Sequence, residues 1–71
     1  MYEIDLLGPD GNAYVLMGYT KQVLRAMGYS GVEIREVLDD MMSSDYKHLV
    51  DTMLEVTEGY ITVNDYEEAV G

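Results

Sequence analysis

The sequence predicts a small α+β domain in which three helices pack on a two-stranded sheet, in the order β-α-α-α-β. A segment of alternating apolar and charged residues opens the chain, and a second β-prone segment lies near its end. Between them, apolar residues recur at helical spacing in three stretches separated by glycine or serine. The 71 residues are enough for one domain, close to the lower limit for independent folding.

The first strand is predicted over residues 2–7. Tyr2, Ile4 and Leu6 alternate there with charged residues, which is the pattern of a strand with one buried face. The segment Gly8-Pro9-Asp10-Gly11 is typical of a tight turn, because proline presets its first central residue and glycine closes it.

The first helix is predicted to begin at a cap provided by Asn12 or Asp10 and to run to Met27. Gly28 follows, and we expect it to end the helix in a left-handed conformation. Gly18 lies inside this helix, where glycine costs about 1 kcal/mol relative to alanine. We therefore expect another part of the backbone to pass close to Gly18.

The second helix carries the clearest signal in the chain. Ser30 and Glu33 have the spacing of a capping box, and the helix is expected to end near Met42. We expect the other elements to pack on its apolar side, which consists of Ile34, Val37, Leu38 and Met41.

Ser43 or Ser44 is expected to cap the third helix, with Asp45 in its first turn. Gly59 is expected to end that helix, and residues 60–63 are predicted to form the second strand.

Residues 1–71 are interpreted as a single domain with an acidic tail over residues 64–71. That tail is expected either to fray or to dock Tyr66 and Val70 as one helical turn. A two-stranded sheet leaves free edges and is marginal alone. We therefore predict a homodimer, formed through a strand edge or a tyrosine-bearing helix face.

Composition excludes several classes of function. Fourteen acidic residues against four basic ones give a formal charge of −10, which argues against direct binding of nucleic acid or an anionic membrane. The chain has no cysteine, so thiol chemistry and Cys-ligated metals are excluded and a reducing cytoplasm is expected. No apolar run is long enough for a membrane span, and we expect no secretory signal.

Two candidate sites are weak. His48 with Asp45 and Asp51 could hold a divalent metal, but a single histidine beside carboxylates is more often a solvated side chain with a raised pKa. The loop from Gly8 to Ala13 precedes a helix N-terminus, where phosphate sites form, but no P-loop spacing follows and Asp10 lies at its mouth. We predict no catalytic, cofactor or metal residue, and no enzymatic activity.

One charged surface is a candidate binding site because of the spacing of its carboxylates. It is the acidic side of the second helix, formed by Glu33, Glu36, Asp39 and Asp40. Carboxylates three or four residues apart on a helix are about 5–6 Å from one another at Cβ, which could imitate the phosphates of a nucleic acid. The alternative is a helix face that is charged only because it is solvated.

Two segments resemble small uncharacterised proteins of tailed bacteriophages. The first is Ile4-Asp5-Leu6-Leu7-Gly8-Pro9-Asp10-Gly11-Asn12-Ala13 followed by Leu16-Met17-Gly18, and the second is Asp39-Asp40-Met41-Met42-Ser43-Ser44-Asp45-Tyr46. The resemblance covers less than half of the chain and contains no catalytic motif. It implies a setting in the cytoplasm of an infected cell and action through binding of a host or phage protein.

The leading hypothesis is therefore a non-enzymatic acidic protein-binding module without cofactors. A nucleic-acid mimic that inhibits a DNA-binding protein is one alternative, and a structural homodimer is another. Seven tyrosines without Trp or Phe suit half-buried positions, either in an interface or as the aromatic residues of the core.

Overall fold

A computed structural model describes all residues from Met1 to Gly71 and confirms the α+β class. The elements in chain order are β1 (Tyr2–Asp5), a 3-10 turn (Pro9–Gly11), α1 (Ala13–Ala26), α2 (Gly31–Met41), α3 (Tyr46–Val56), β2 (Ile61–Asn64) and α4 (Tyr66–Val70).

The two strands pair in parallel, with Tyr2 opposite Ile61 and Asp5 opposite Asn64. Parallel neighbours need a long crossover connection, and α1, α2 and α3 provide it. Ile4 and Ile61 are buried, and Tyr2 and Val63 are half-buried. The alternating residues Glu3, Asp5, Thr62 and Asn64 are exposed. Each strand has a single neighbour, so the outer edge of both strands is free.

The core lies between the sheet, α1 and α3. Nine of the eleven buried apolar residues form one cluster there, which consists of Ile4, Leu6, Leu16, Val23, Met41, Leu49, Val50, Met53 and Ile61. Met41 is the one member that comes from α2. The expectation that the other elements pack on the second helix is confirmed for α1 and α3, which both contact α2, where Ile34 and Met41 are buried. It is wrong for the sheet, whose main contacts are with α3 and the 3-10 turn.

The predicted ends of α1 are confirmed to within one residue. The Asn12 side chain caps the helix by accepting a hydrogen bond from the Val15 amide at 3.0 Å. Gly28 has a left-handed backbone (φ 96°), and the amide of Tyr29 donates to the Leu24 carbonyl at 3.0 Å. This is a Schellman ending, in which glycine avoids the penalty of a Cβ at positive φ.

The close backbone approach expected at Gly18 is absent, because a Cβ placed there would meet nothing within 4 Å. The close approach occurs at Gly11 instead, where a Cβ would lie 1.9 Å from the carbonyl oxygen of Leu6. The 3-10 turn packs directly on the end of the first strand, and glycine is needed there for space.

The capping box at Ser30 is confirmed, whereas the predicted cap of α3 is wrong. Ser43 closes α2 instead, since its hydroxyl donates to the Asp40 carbonyl at 2.6 Å. Asp45 caps α3 by accepting from the His48 amide at 2.9 Å. A carboxylate at the cap also interacts favourably with the helix dipole.

The third helix ends earlier than predicted. Thr57 is its C-terminal cap, and Glu58 (φ 50°) already turns left-handed before Gly59 (φ 91°). The buried Thr57 hydroxyl donates to the Met53 carbonyl at 2.7 Å, and the same carbonyl accepts the Thr57 amide at 3.1 Å, so the buried hydroxyl has a partner.

β1 ends two residues earlier than predicted, and the tail after β2 adopts one of its two expected states. β1 ends at Asp5 because the amide of Leu7 turns back to the Asp5 carboxylate at 3.0 Å. After β2, residues 66–70 form the short helix α4. The tail therefore docks as a helical turn, which was one of its two expected states. Tyr66 and Val70 both pack against the core.

Candidate functional site

The four predicted carboxylates of α2 are all exposed. Glu33, Glu36 and Asp40 are separated by three and four residues, which places them on the same side of the helix. We call these three residues the acidic ridge. Asp39 lies three residues after Glu36 and also borders a groove between α1 and α2.

Glu33 is held in place by the capping box. Its carboxylate accepts from the Ser30 amide at 2.8 Å, and the Glu33 amide donates to the Ser30 hydroxyl at 3.2 Å. These bonds to Ser30, the backbone bond first, lower the pKa of Glu33. The side chain is therefore ionised and oriented at neutral pH.

Asp40 connects α2 to α3 through His48. The Nε2 atom of His48 lies 3.1 Å from Asp40 Oδ1, and both side chains are partly exposed. The hydrogen bond with Asp40 is the largest influence on the imidazole and raises the pKa of His48, against a smaller opposing effect of desolvation.

The carboxylates predicted to surround His48 are engaged elsewhere. Asp45 accepts from the backbone of His48, and Asp51 pairs with Lys47 at 2.7 Å. Asp51 also accepts a hydrogen bond from the hydroxyl of Tyr66, and the Lys47 and Tyr66 bonds together lower its pKa. No group of three His, Cys, Asp or Glu residues in the molecule could hold a metal ion.

The arrangement around His48 also differs from a catalytic triad. In a triad the carboxylate and the nucleophilic hydroxyl contact opposite ring nitrogens. Here Asp40 and the hydroxyl of Thr52, at 3.5 Å, both approach Nε2. When Nε2 carries a proton, Asp40 is the nearer acceptor, and this nitrogen cannot then take a proton from Thr52.

The loop before α1 forms a turn and a cap rather than an anion site. The side chain and carbonyl of Asn12 already accept the amides of Val15 and Leu16. Gly11 packs against the Leu6 carbonyl, so backbone fills the side of the loop that faces the strand.

Most tyrosines are structural. Five of the seven are half-buried, and only Tyr14 and Tyr60 are exposed. The hydroxyl of Tyr46 donates to the Gly11 carbonyl, and that of Tyr2 donates to Gln22 at 3.1 Å. These bonds support the interpretation of tyrosine as the core aromatic with a polar end at the surface.

An unexpected feature is a groove of about 400 Å³ between α1 and α2. Lys21 and Arg25 of α1 and Arg35 of α2 line it, and we call it the basic groove. Its apolar lining consists of Met17, Ile34, Leu38 and Met42. The spacing of Lys21 and Arg25 places them on one side of a helix, but nothing in the sequence indicates that Arg35 faces them.

A second hollow, of about 350 Å³, lies at the amino-terminal end of the sheet. It is lined mainly by apolar side chains, including Met1, Met27 and Tyr60.

Comparison of the chain with protein-family models, curated proteins and solved structures found no match. None of the helices is both long enough and apolar enough to cross a membrane.

Proposed function

We propose that the protein is a non-enzymatic protein-binding module that presents the acidic ridge to a basic segment of a partner protein. This proposal rests on the hydrogen bonding and the exposure of the three carboxylates. Glu33 and Asp40 are held by internal hydrogen bonds, while Glu36 between them is exposed and has no partner within the molecule.

The two held carboxylates can still accept hydrogen bonds from a partner. Glu33 uses Oε1 and Asp40 uses Oδ1 in their internal bonds, which leaves the second oxygen of each without a hydrogen bond. Side chains that are already ordered lose less conformational entropy when a partner binds. The ridge is thus a partly preorganised acceptor surface for lysine or arginine.

A non-enzymatic role is supported by the chemistry around His48. The only histidine of the chain is paired with Asp40 through the nitrogen that a hydroxyl nucleophile would need. The chain also contains no cysteine that could act as an alternative nucleophile.

The test is binding of a fluorescent helical peptide with lysines at positions i, i+3 and i+7, measured by anisotropy. Glu36→Lys is expected to weaken binding by about two- to tenfold, the range for an exposed charge pair that is lost and replaced by repulsion. Glu55→Lys on α3 is the matched control, because Glu55 is exposed and the change in net charge is the same.

Equal weakening by Glu36→Lys and Glu55→Lys would mean that the peptide responds only to net charge, and would contradict the proposal. Added salt is expected to weaken the specific complex, because exposed ion pairs are screened. The resemblance to phage proteins favours a phage or host protein as the natural partner.

The nucleic-acid mimic has less support, because two of its four carboxylates are bound internally. The homodimer stays a prediction that rests on the two free strand edges. Light scattering that gives the mass of a monomer at high concentration would contradict it.

A further inference from the structure

The positive charges of this acidic chain are concentrated in the basic groove. The chain has four lysines and arginines in total, and three of them line this one groove. The fourth, Lys47, lies on α3 and is paired with Asp51. The protein therefore carries a local cationic site on a molecule of net charge −10.

The three cations of the groove have no partner within the molecule. Despite fourteen carboxylates in the chain, the ion pairs are Lys47 with Asp51 and His48 with Asp40. Asp39 is the single carboxylate that borders the groove, and it forms no ion pair with Arg35 one turn before it. The three cationic groups are consequently available to an external anion.

The floor of the groove is apolar and adaptable. Ile34 is buried, Leu38 and Met17 are half-buried, and Met42 is 59% exposed. Methionine side chains are flexible and polarizable, and they are common on surfaces that adjust to a partner. The groove thus combines an apolar floor with cationic walls.

This combination selects among anionic ligands. A nucleic acid would extend beyond the groove and meet the repulsion of the surrounding carboxylates. A free phosphate would interact with the cations but would leave the apolar floor uncovered. A short helix with a few carboxylates beside an apolar stripe matches both features, in the manner of a helix bound in a groove.

We propose that the basic groove binds an acidic amphipathic helix of a partner protein. Its carboxylates pair with Lys21, Arg25 and Arg35, and its apolar side chains cover the methionines and Leu38. This site is separate from the acidic ridge, takes a ligand of opposite charge, and does not depend on the function proposed above.

The probe is a fluorescent helical peptide with leucines at i, i+3 and i+7 flanked by glutamates, and the same peptide with glutamine in place of glutamate is its control. Anisotropy is measured with variants Arg25→Gln and Arg35→Gln. Each is expected to weaken binding about two- to fivefold, as for an exposed charge pair. Lys47→Gln is the matched control, since it removes the same charge outside the groove and should leave affinity unchanged.

Two further variants test the floor and the edge of the groove. Met42→Asp should abolish saturable binding, because it places a carboxylate on the apolar floor. Asp39→Asn should tighten binding about two- to fivefold, because it removes the one like charge that faces the peptide. Circular dichroism of each variant establishes that the fold is retained.

Several results would overturn the proposal. One is that the glutamate and glutamine peptides bind equally well, and another is that Lys47→Gln weakens binding as much as Arg35→Gln does. A third is that the folded wild-type protein shows no saturable binding of the glutamate peptide. Self-association that is lost in Arg25→Gln and Arg35→Gln would assign the groove to a second copy of the chain, and would also contradict it.

Discussion

Replacing Gly11 with alanine is expected to destabilise the protein strongly. The new Cβ would lie 1.9 Å from the Leu6 carbonyl oxygen, 2.6 Å from its carbonyl carbon and 2.9 Å from its Cα. Ordinary contacts begin near 3.4 Å, so the turn and the strand end must separate by about 1.5 Å. Backbone atoms cannot swing aside as a flexible side chain can.

That separation would disturb the core beneath it. Leu6 is 5% exposed and its amide donates to the Asn64 carbonyl at 3.3 Å, so moving it loosens both the core and the sheet. Overpacking costs about 1–3 kcal/mol, and a clash with backbone belongs at the upper end. A loss of about 3 kcal/mol corresponds to a fall in Tm of about 12–24 °C for a domain of this size.

Gly18→Ala is the matched control, and it is expected to raise the free energy of unfolding rather than lower it. Gly18 is exposed inside α1 and has open space around it, so alanine should stabilise the helix by about 0.5–1 kcal/mol. Urea unfolding followed by circular dichroism measures both variants. A Gly11→Ala protein within about 0.5 kcal/mol of wild type, or a destabilised Gly18→Ala protein, would refute the packing described for these glycines.

Three further predictions concern side-chain interactions. Ser30→Ala should cost about 1 kcal/mol in urea unfolding by removing the capping box, whereas Ser44→Ala, which loses no hydrogen bond, should stay within about 0.5 kcal/mol of wild type. Because the folded protein raises the pKa of His48, protonated imidazole is stabilising. The free energy of unfolding should therefore fall as pH rises from about 6 to about 8. His48→Gln should remove most of this pH dependence, and an equally steep dependence in the variant would mean that His48 is not its source. Desolvation and then the charge of Asp5 raise the pKa of Asp65, so Asp65→Asn should increase Tm at neutral pH and lose this advantage in acid, where Asp65 is protonated. Asparagine also tolerates the left-handed backbone at that position (φ 59°). A Tm of Asp65→Asn below that of wild type at neutral pH would contradict the repulsion between Asp65 and Asp5.

The class of fold and the approximate position of each main helix and strand can be predicted from the sequence, because they depend on local interactions. The capping box at Ser30 and the left-handed Gly28 involve residues a few positions apart, and both are where the pattern predicts them. The errors at the start of α3 and at Gly59 are of one or two residues, where serine, aspartate and glycine compete for the same capping role.

Features that depend on contacts between distant parts of the chain could not be predicted in this way. Whether Gly11 or Gly18 meets another backbone depends on how the turn lies on β1, and spacing along the chain does not specify that. The same holds for the parallel sheet, for the pairing of His48 with Asp40 rather than with its sequence neighbours, and for the approach of Arg35 to the cations of α1. Periodicity states which side of a helix is buried, but the rotation and neighbour of each helix are set by packing of the whole core.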